Sequence, residues 1–203
     1  MARTATKRAS RKTAKKAVRK SATVKRSSSG PDLLEFFTDQ LKDIYWAEKH
    51  LVQKLPALQR AASSEELKNA IEEHIAQTQD QVARLEEVFS LLDRKPHAKK
   101  CDAMEGLTNE AKTVINETES GTATRDVGII MSAQKVEHYE IAAYGSLTQL
   151  AKTIGLDDVA DILAQTLAEE KDTDVLLTKI AESHINYEAA EERSGEEAKE
   201  ENE

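Results

Sequence analysis

Gln134-Lys135-Val136-Glu137-His138-Tyr139-Glu140-Ile141-Ala142-Ala143-Tyr144-Gly145 is the stretch whose reading decides the fold. It lies inside a longer pattern in which Val127, Ile130, Gln134, Glu137, Ile141, Tyr144, Thr148 and Ala151 recur three and four residues apart, and so share one side of a helix. Glu137 interrupts this otherwise apolar or neutral seam, and Glu140 shares its edge one turn further on. A buried lone carboxylate is costly unless it is paired, protonated or bound to a metal. The question is whether other helices bring acids to the same place.

Working outward, three more segments carry the same pattern. Downstream, Gly155-Leu156-Asp157 ends one helix and starts another over about 157–187, with Val159, Leu163, Thr166, Glu170, Thr173, Leu177 and Ile180 in register. Glu170 interrupts this seam, Asp174 is one turn beyond it, and Glu169 is adjacent on the other edge. Upstream, Asp32 is the expected N-cap of a helix over about 33–62, with Glu35 completing a capping box. Its seam is Leu41, Ile44, Glu48, Leu51, Leu55 and Leu58, again with one carboxylate, and Pro56 predicts a kink or local break. A further helix over about 64–93 turns Leu67, Ile71, Ile75, Thr78, Val82, Leu85, Phe89 and Leu92 inward. His74 sits beside that seam, with Gln77 and Gln81 along its edge. Taken alone, His74 reads more readily as a surface or hydrogen-bonded histidine than as a ligand.

The connection over 94–124 is long and holds a short helix that begins near Cys101-Asp102-Ala103-Met104-Glu105-Gly106-Leu107 and ends near Glu119. No local feature activates Cys101, which reads as a packed, reduced thiol. Gly145 is expected to permit close helix packing. Four helices of about thirty residues, joined by a short turn, a long crossover and a short turn, make an all-α protein with the connectivity of a ferritin-like four-helix bundle.

Composition agrees and excludes other classes. Of 203 residues 39% are hydrophobic and 33% charged, and seven Gly and three Pro leave long uninterrupted segments. One cysteine allows no intramolecular disulfide framework and no Cys-rich zinc module. No run of 18 apolar residues spans a membrane, and no apolar signal core follows the basic N-terminus. A cytoplasmic protein is the expectation.

The net charge of -8 hides an asymmetry. Residues 1–29 carry Arg3, Lys7, Arg8, Arg11, Lys12, Lys15, Lys16, Arg19, Lys20, Lys25 and Arg26 and no acid. The rest of the chain holds 18 basic against 37 acidic side chains, a balance of -19. Residues 1–30 lack an apolar stripe and read as a disordered basic arm, 31–187 as the bundle, and 188–203 as a frayed acidic tail. The arm suits non-specific DNA contact and a place near the nucleoid. It equally suits a solubilising tail, docking on its own acidic body, an anionic membrane contact or an organelle transit peptide.

Glu48, His74 with Gln77, Glu137 with Glu140, and Glu170 with Asp174 each fall near the middle of their helix. A bundle brings those midpoints together, and carboxylates converging there without basic partners repel one another unless cations relieve them. Oxygen ligands with an imidazole suit two iron ions, or manganese as the alternative. The strict Glu-x-x-His of di-iron bundles is absent; Glu137-x-x-Glu140 and His74-x-x-Gln77 stand instead. The bland alternative is a bundle of rotated helices with solvated or protonated acids, in which Glu169 turns inward and Glu170 outward.

Residues 32–184 resemble the YciE/YciF family of ferritin-like, rubrerythrin-related proteins, a domain of unknown function. The resemblance is carried by Asp43-Ile44-Tyr45-Trp46-Ala47-Glu48-Lys49, the segment Cys101–Leu107, Ala133–Gly145 and Thr166-Leu167-Ala168-Glu169-Glu170-Lys171. It implies a rubrerythrin-like bundle, a homodimer, a link to bacterial stress response, and a di-iron or ferroxidase site. By position it implies Glu48, His74, Glu137, Glu140 and Glu170 as metal ligands, with Gln77 in place of an anionic bridging residue, and His138 near the site or at an interface. Two functional readings follow: a ferritin-like stress protein that oxidises or sequesters Fe(II) with oxygen or peroxide, and a non-enzymatic dimeric stress protein tethered to nucleic acid by its arm.

Overall fold

The structure is a computed structural model that describes residues 32–192. Helices run over α1 Leu33–Ala61, α2 Glu65–Leu91, α3 Asp102–Glu117, α4 Ala123–Thr153 and α5 Asp157–Ile180. A π-helical turn, Ala181–Ile185, follows α5, and residues 186–192 are again α-helical. Among the described residues there is no strand.

Local chemistry sets the helix ends. The Asp32 carboxylate accepts the Glu35 amide at 2.8 Å, which makes it the expected N-cap of α1. Ser64 and Thr122 cap α2 and α4 in the same way, at 3.4 and 3.2 Å. Cys101 Sγ accepts the Met104 amide at 3.4 Å and caps α3. At the end of α4, Gly155 adopts φ +78°, and the Leu156 amide reaches back to the Ala151 carbonyl at 2.9 Å. This is a Schellman stop, which needs a residue tolerant of left-handed backbone.

The long helices form a closed ring in which α1 packs on α2 and α4, and α5 packs on α2 and α4. The crossover helix α3 lies outside, against α1 and α4. Phe37, Leu41, Ile44, Leu51, Leu67, Leu85, Phe89, Ile129, Ile130 and Leu163 are fully buried between the helices. Burying such side chains stabilises the fold by roughly 1.5–3 kcal/mol each before ordering entropy is counted. Asp126, buried at the start of α4, accepts the Ser63 and Ser64 amides at 2.7 and 2.8 Å. It ties the α1–α2 turn to the other hairpin and satisfies amides at the α2 terminus that no helical carbonyl reaches.

Several expectations change in detail. The α1 helix runs unbroken through Pro56, because losing one amide donor does not end a helix whose seam continues through Leu55 and Leu58. In α2 His74 and Gln81 are buried, while Ile75 and Val82, expected to turn inward, are only half buried. Residues 188–192, expected to fray, are helical. Their anchor is Glu192, whose carboxylate accepts the Ala123 and Thr124 amides at 2.7 and 3.1 Å at the positive end of α4. The rest of the acidic tail, like the basic arm, lies outside the described residues. A Cβ on Gly145 would meet only Leu167, at 4.0 Å, so this glycine is not a point of close approach. Gly128 is, since a Cβ there would overlap the Val114 side chain of α3. No helix among the described residues is long and apolar enough to cross a membrane.

Candidate metal centre

Four acids and one imidazole meet in the middle of the ring. Glu48 comes from α1, His74 from α2, Glu137 and Glu140 from α4 and Glu170 from α5. Exposure is 0% for Glu48 and Glu170, 1% for Glu137 and Glu140, and 6% for His74, so water cannot solvate these groups. The inward set includes Glu170 and leaves Glu169 at the rim, which decides the rotation of α5.

One ligand atom from each of His74, Glu137, Glu140 and Glu170 lies within 4.8 Å of all the others. His74 Nε2 is 3.4 Å from Glu137 Oε1. Seven atoms of the five residues make no hydrogen bond of good geometry: Glu48 Oε2, both imidazole nitrogens of His74, Glu137 Oε2, both oxygens of Glu140, and Glu170 Oε2. Gln77 lies against His74, and Glu170 against Glu137, closely enough to shift their pKa values. Buried polar atoms are ordinarily paired, and each orphan costs about 1–3 kcal/mol. Seven converging in one place fit a cation better than they fit a packed core. Metal–oxygen and metal–nitrogen bonds of about 2.0–2.2 Å put the donors of one ion at most about 4.4 Å apart, so a small contraction seats one. Three carboxylates with a neutral imidazole are the donor type that divalent iron or manganese accepts.

Electrostatics points the same way. Burial, then the Glu170 charge, pushes Glu48 and Glu137 well above the carboxylate range, and burial with Glu48 does so for Glu140. Burial lifts Glu170 to about 7, held back first by a hydrogen bond with Glu137 and then by the Arg84 charge. His74 is lowered by burial to about 4 and is therefore neutral at pH 7, the form that ligates.

Groups around the cluster hold two of its acids. The Tyr144 hydroxyl donates to Glu48 Oε1 at 2.5 Å, and Gln81 Nε2 donates to Glu170 Oε1 at 2.5 Å. The guanidinium of Arg84 grips Glu169 with two bonds, so a basic residue stands beside acids that were expected to converge without one. Sequence reading placed Gln81 only along a helix edge and Tyr144 only in a seam, and did not single out Arg84. No local signal marks Arg84, because its partner Glu169 lies 85 residues away.

None of the remaining candidates is one of the four clustered donors, although the Gln77 side chain is in loose hydrogen-bonding contact with His74. Glu169 is bound to Arg84, and although burial pushes it up, this bond holds it below the ordinary carboxylate value. Gln77 accepts from the Thr173 hydroxyl at 3.2 Å. His138 is 71% exposed and contacts Asp174 Oδ1 at 3.4 Å, and Asp174 also accepts from Gln134 at 3.2 Å. Asp174 raises the Glu137 pKa by its charge without being one of the clustered donors. Residue 138 follows Glu137 by one position, which turns it about 100° around α4 and out to solvent. Cys101 is buried and free, 3.0 Å from the Tyr139 hydroxyl, which donates to Asp43 at 2.7 Å.

An all-helical bundle of two hairpins and a crossover, with carboxylates and an imidazole at its centre, defines the class: a ferritin-like helical bundle. The chain belongs to the family described as "Domain of unknown function (DUF892)", which matches residues 32–190. Protein YciF of Escherichia coli strain K12 is 44% identical over 156 residues, covering 76% of this chain and 93% of that protein. The solved structure of the E. coli stress protein YciF superposes with a TM-score of 0.74 at 42% identity, over 77% of this chain and 99% of that one. YcfI of Rhodopseudomonas palustris superposes with a TM-score of 0.72 at 35% identity, over 75% and 96% of the two chains. The resemblance read from the Ala133–Gly145 segment is thus borne out.

Proposed function

We propose that the protein is a ferritin-like stress protein that takes up Fe(II) at the buried cluster and oxidises or sequesters it, with oxygen or peroxide as oxidant. The observation that carries this reading is the convergence of seven buried donor atoms that make no hydrogen bond of good geometry. His74, Glu137, Glu140 and Glu170 would hold the metal, with Glu48 beside them and manganese as the alternative ion. Iron bound there supplies one-electron redox chemistry. The side chains supply the rest. Neutral His74 presents a ring lone pair, and the carboxyl groups shed their protons as the cation replaces them. Leu55, Leu58, Ile71 and Leu177 wall His74 and Glu137 away from bulk water.

The test is metal analysis of protein purified without chelator, joined to oxygen uptake on addition of Fe(II). Bound iron or manganese, and oxidation lost in Glu137→Ala, are expected. No bound metal, with no oxidation above the Glu137→Ala control, overturns the reading.

The same reading has the chain pair as a homodimer. The exposed apolar Leu33, Leu34 and Phe36 at the start of α1 support it, and sedimentation velocity measures it. A second reading, nucleic-acid tethering without enzymatic activity, is supported by eleven basic and no acidic side chains in residues 1–29.

A further inference from the structure

The cluster is lopsided, and its asymmetry follows the two hairpins. Gln81 follows Glu48 by 33 residues, and Glu170 follows Glu137 by 33. The structure supports this correspondence, because Gln81 and Glu170 meet across the α2–α5 contact at 2.5 Å. Matching positions carry different chemistry. Three residues after Glu137 stands Glu140, whereas three residues after Glu48 stands Leu51, a core side chain. Glu170 is matched by the neutral Gln81, and Thr173, three residues on, is matched by Arg84. The α4–α5 hairpin supplies three carboxylates at these positions and the α1–α2 hairpin supplies one.

His74 completes the richer side, with Nε2 3.4 Å from Glu137. The poorer side is already occupied by protein. Glu48 Oε1 takes the Tyr144 hydroxyl and Glu170 Oε1 takes the Gln81 amide. The Arg84 guanidinium, held by two bonds to Glu169, stands at this end, and the two opposite charges act together on Glu48 and Glu170. A second divalent cation at the Glu48 end would find one free carboxylate oxygen of Glu48 and the Gln81 carbonyl. At the next position, where the other hairpin has Thr173, it would find Arg84, a cation with no lone pair to offer a metal.

We infer that this chain holds one divalent cation, on His74, Glu137, Glu140 and Glu170, and that Gln81, Tyr144 and Arg84 close the position a second ion would take. The inference rests on the metal-binding reading above and sets its stoichiometry. It runs against the two-ion expectation that the family resemblance implies.

The experiment uses the full chain, stripped of metal and equilibrated anaerobically with Mn(II), counted by equilibrium dialysis with elemental analysis and examined by electron paramagnetic resonance. One Mn(II) per chain with an isolated-ion six-line spectrum is expected. The double variant Gln81→Glu, Arg84→His is expected to bind two, with an exchange-coupled spectrum. Two ions in the wild-type chain overturn the inference and leave the metal-binding reading standing. No ion in a wild-type chain that circular dichroism shows to be helical overturns that reading as well. A folded double variant that still binds one ion overturns the closing role given to Gln81 and Arg84. The wild-type count decides the stoichiometry whether or not the variant folds.

Discussion

Tyr144 on α4 donates its hydroxyl to Glu48 Oε1 on α1 at 2.5 Å, deep in the bundle where both residues are 0% exposed. The bond joins the two hairpins through an acid whose second oxygen has no partner. Tyr144→Phe keeps the ring that fills the core and removes only the donor. It leaves both oxygens of Glu48 unsatisfied, which costs about 1–3 kcal/mol. For a domain of this size that lowers the metal-free melting temperature by about 2–12 °C. Calorimetry in chelator measures it, and an unchanged melting temperature would reduce Tyr144 to packing alone.

Stability of the metal-free protein should fall as pH rises above 6.5, the ordinary imidazole value, and through about 7, the folded value of Glu170. Glu48, Glu137 and Glu140 have folded values raised well above the ordinary one, and Glu170 is raised to about 7, with burial the first cause in each case. The folded state therefore holds more protons than the unfolded state in this window, and stability is lost as pH climbs through the folded values. His74 works in the opposite sense. Its folded value is lowered to about 4, so it penalises the fold as pH falls below about 6.5 and is silent above. Saturating Mn(II) should reverse the upper slope, because ligation needs deprotonated donors. Melting temperature against pH, with chelator and with Mn(II), reads both. Parallel curves would sink the argument.

How much of this was legible depended on what each seam was made of. Mid-helix acids at Glu48, Glu137 and Glu170 stand out because the residues three and four positions before each are apolar or neutral, and all three are buried. The α2 seam was harder. His74 and Ile75, and Gln81 and Val82, are adjacent pairs in which hydropathy favours the apolar member, yet the polar one turns inward. Gln81 gains there because Glu170 on α5 offers it a partner, and that is tertiary information. Arg84 was invisible for the same reason, since its partner Glu169 is 85 residues away. The end of α4 was legible at Gly155, but the Glu192 bond to Ala123 spans 69 residues, so the helix beyond 187 could not be read locally.

Two glycines of α4 should respond oppositely to alanine. At Gly128 the new methyl overlaps Val114 of α3, and over-packing costs about 1–3 kcal/mol unless the crossover helix shifts. At Gly145 the nearest atom is 4.0 Å away, so the helix propensity gain of up to about 1 kcal/mol is unopposed. Thermal denaturation should show Gly128→Ala lowered, rescued by adding Val114→Ala, and Gly145→Ala equal or raised. A destabilised Gly145→Ala would restore the close-packing role that its place in the sequence suggested.

The basic arm makes the last prediction, and it separates the two functional readings. Residues 1–29 carry eleven positive charges, while the remainder of the chain has a balance of -19 and repels polyanions. If the arm holds DNA, binding is driven by counterion release, and log affinity falls with log salt by about 0.9 for each phosphate neutralised. Eleven basic side chains set an upper slope of about -10 for the full chain. Removing residues 1–29 should abolish both the binding and the slope. Duplexes of unrelated sequence should bind alike, since a Lys/Arg/Ser/Thr/Ala segment contacts phosphates and offers no fixed set of base-edge partners. Fluorescence anisotropy on a labelled duplex, titrated at several salt concentrations, measures all three. Equal affinity with and without residues 1–29 would remove the arm from the account and leave the metal cluster as the only basis for function. A steep slope in protein carrying Glu137→Ala would show that tethering operates without the cluster.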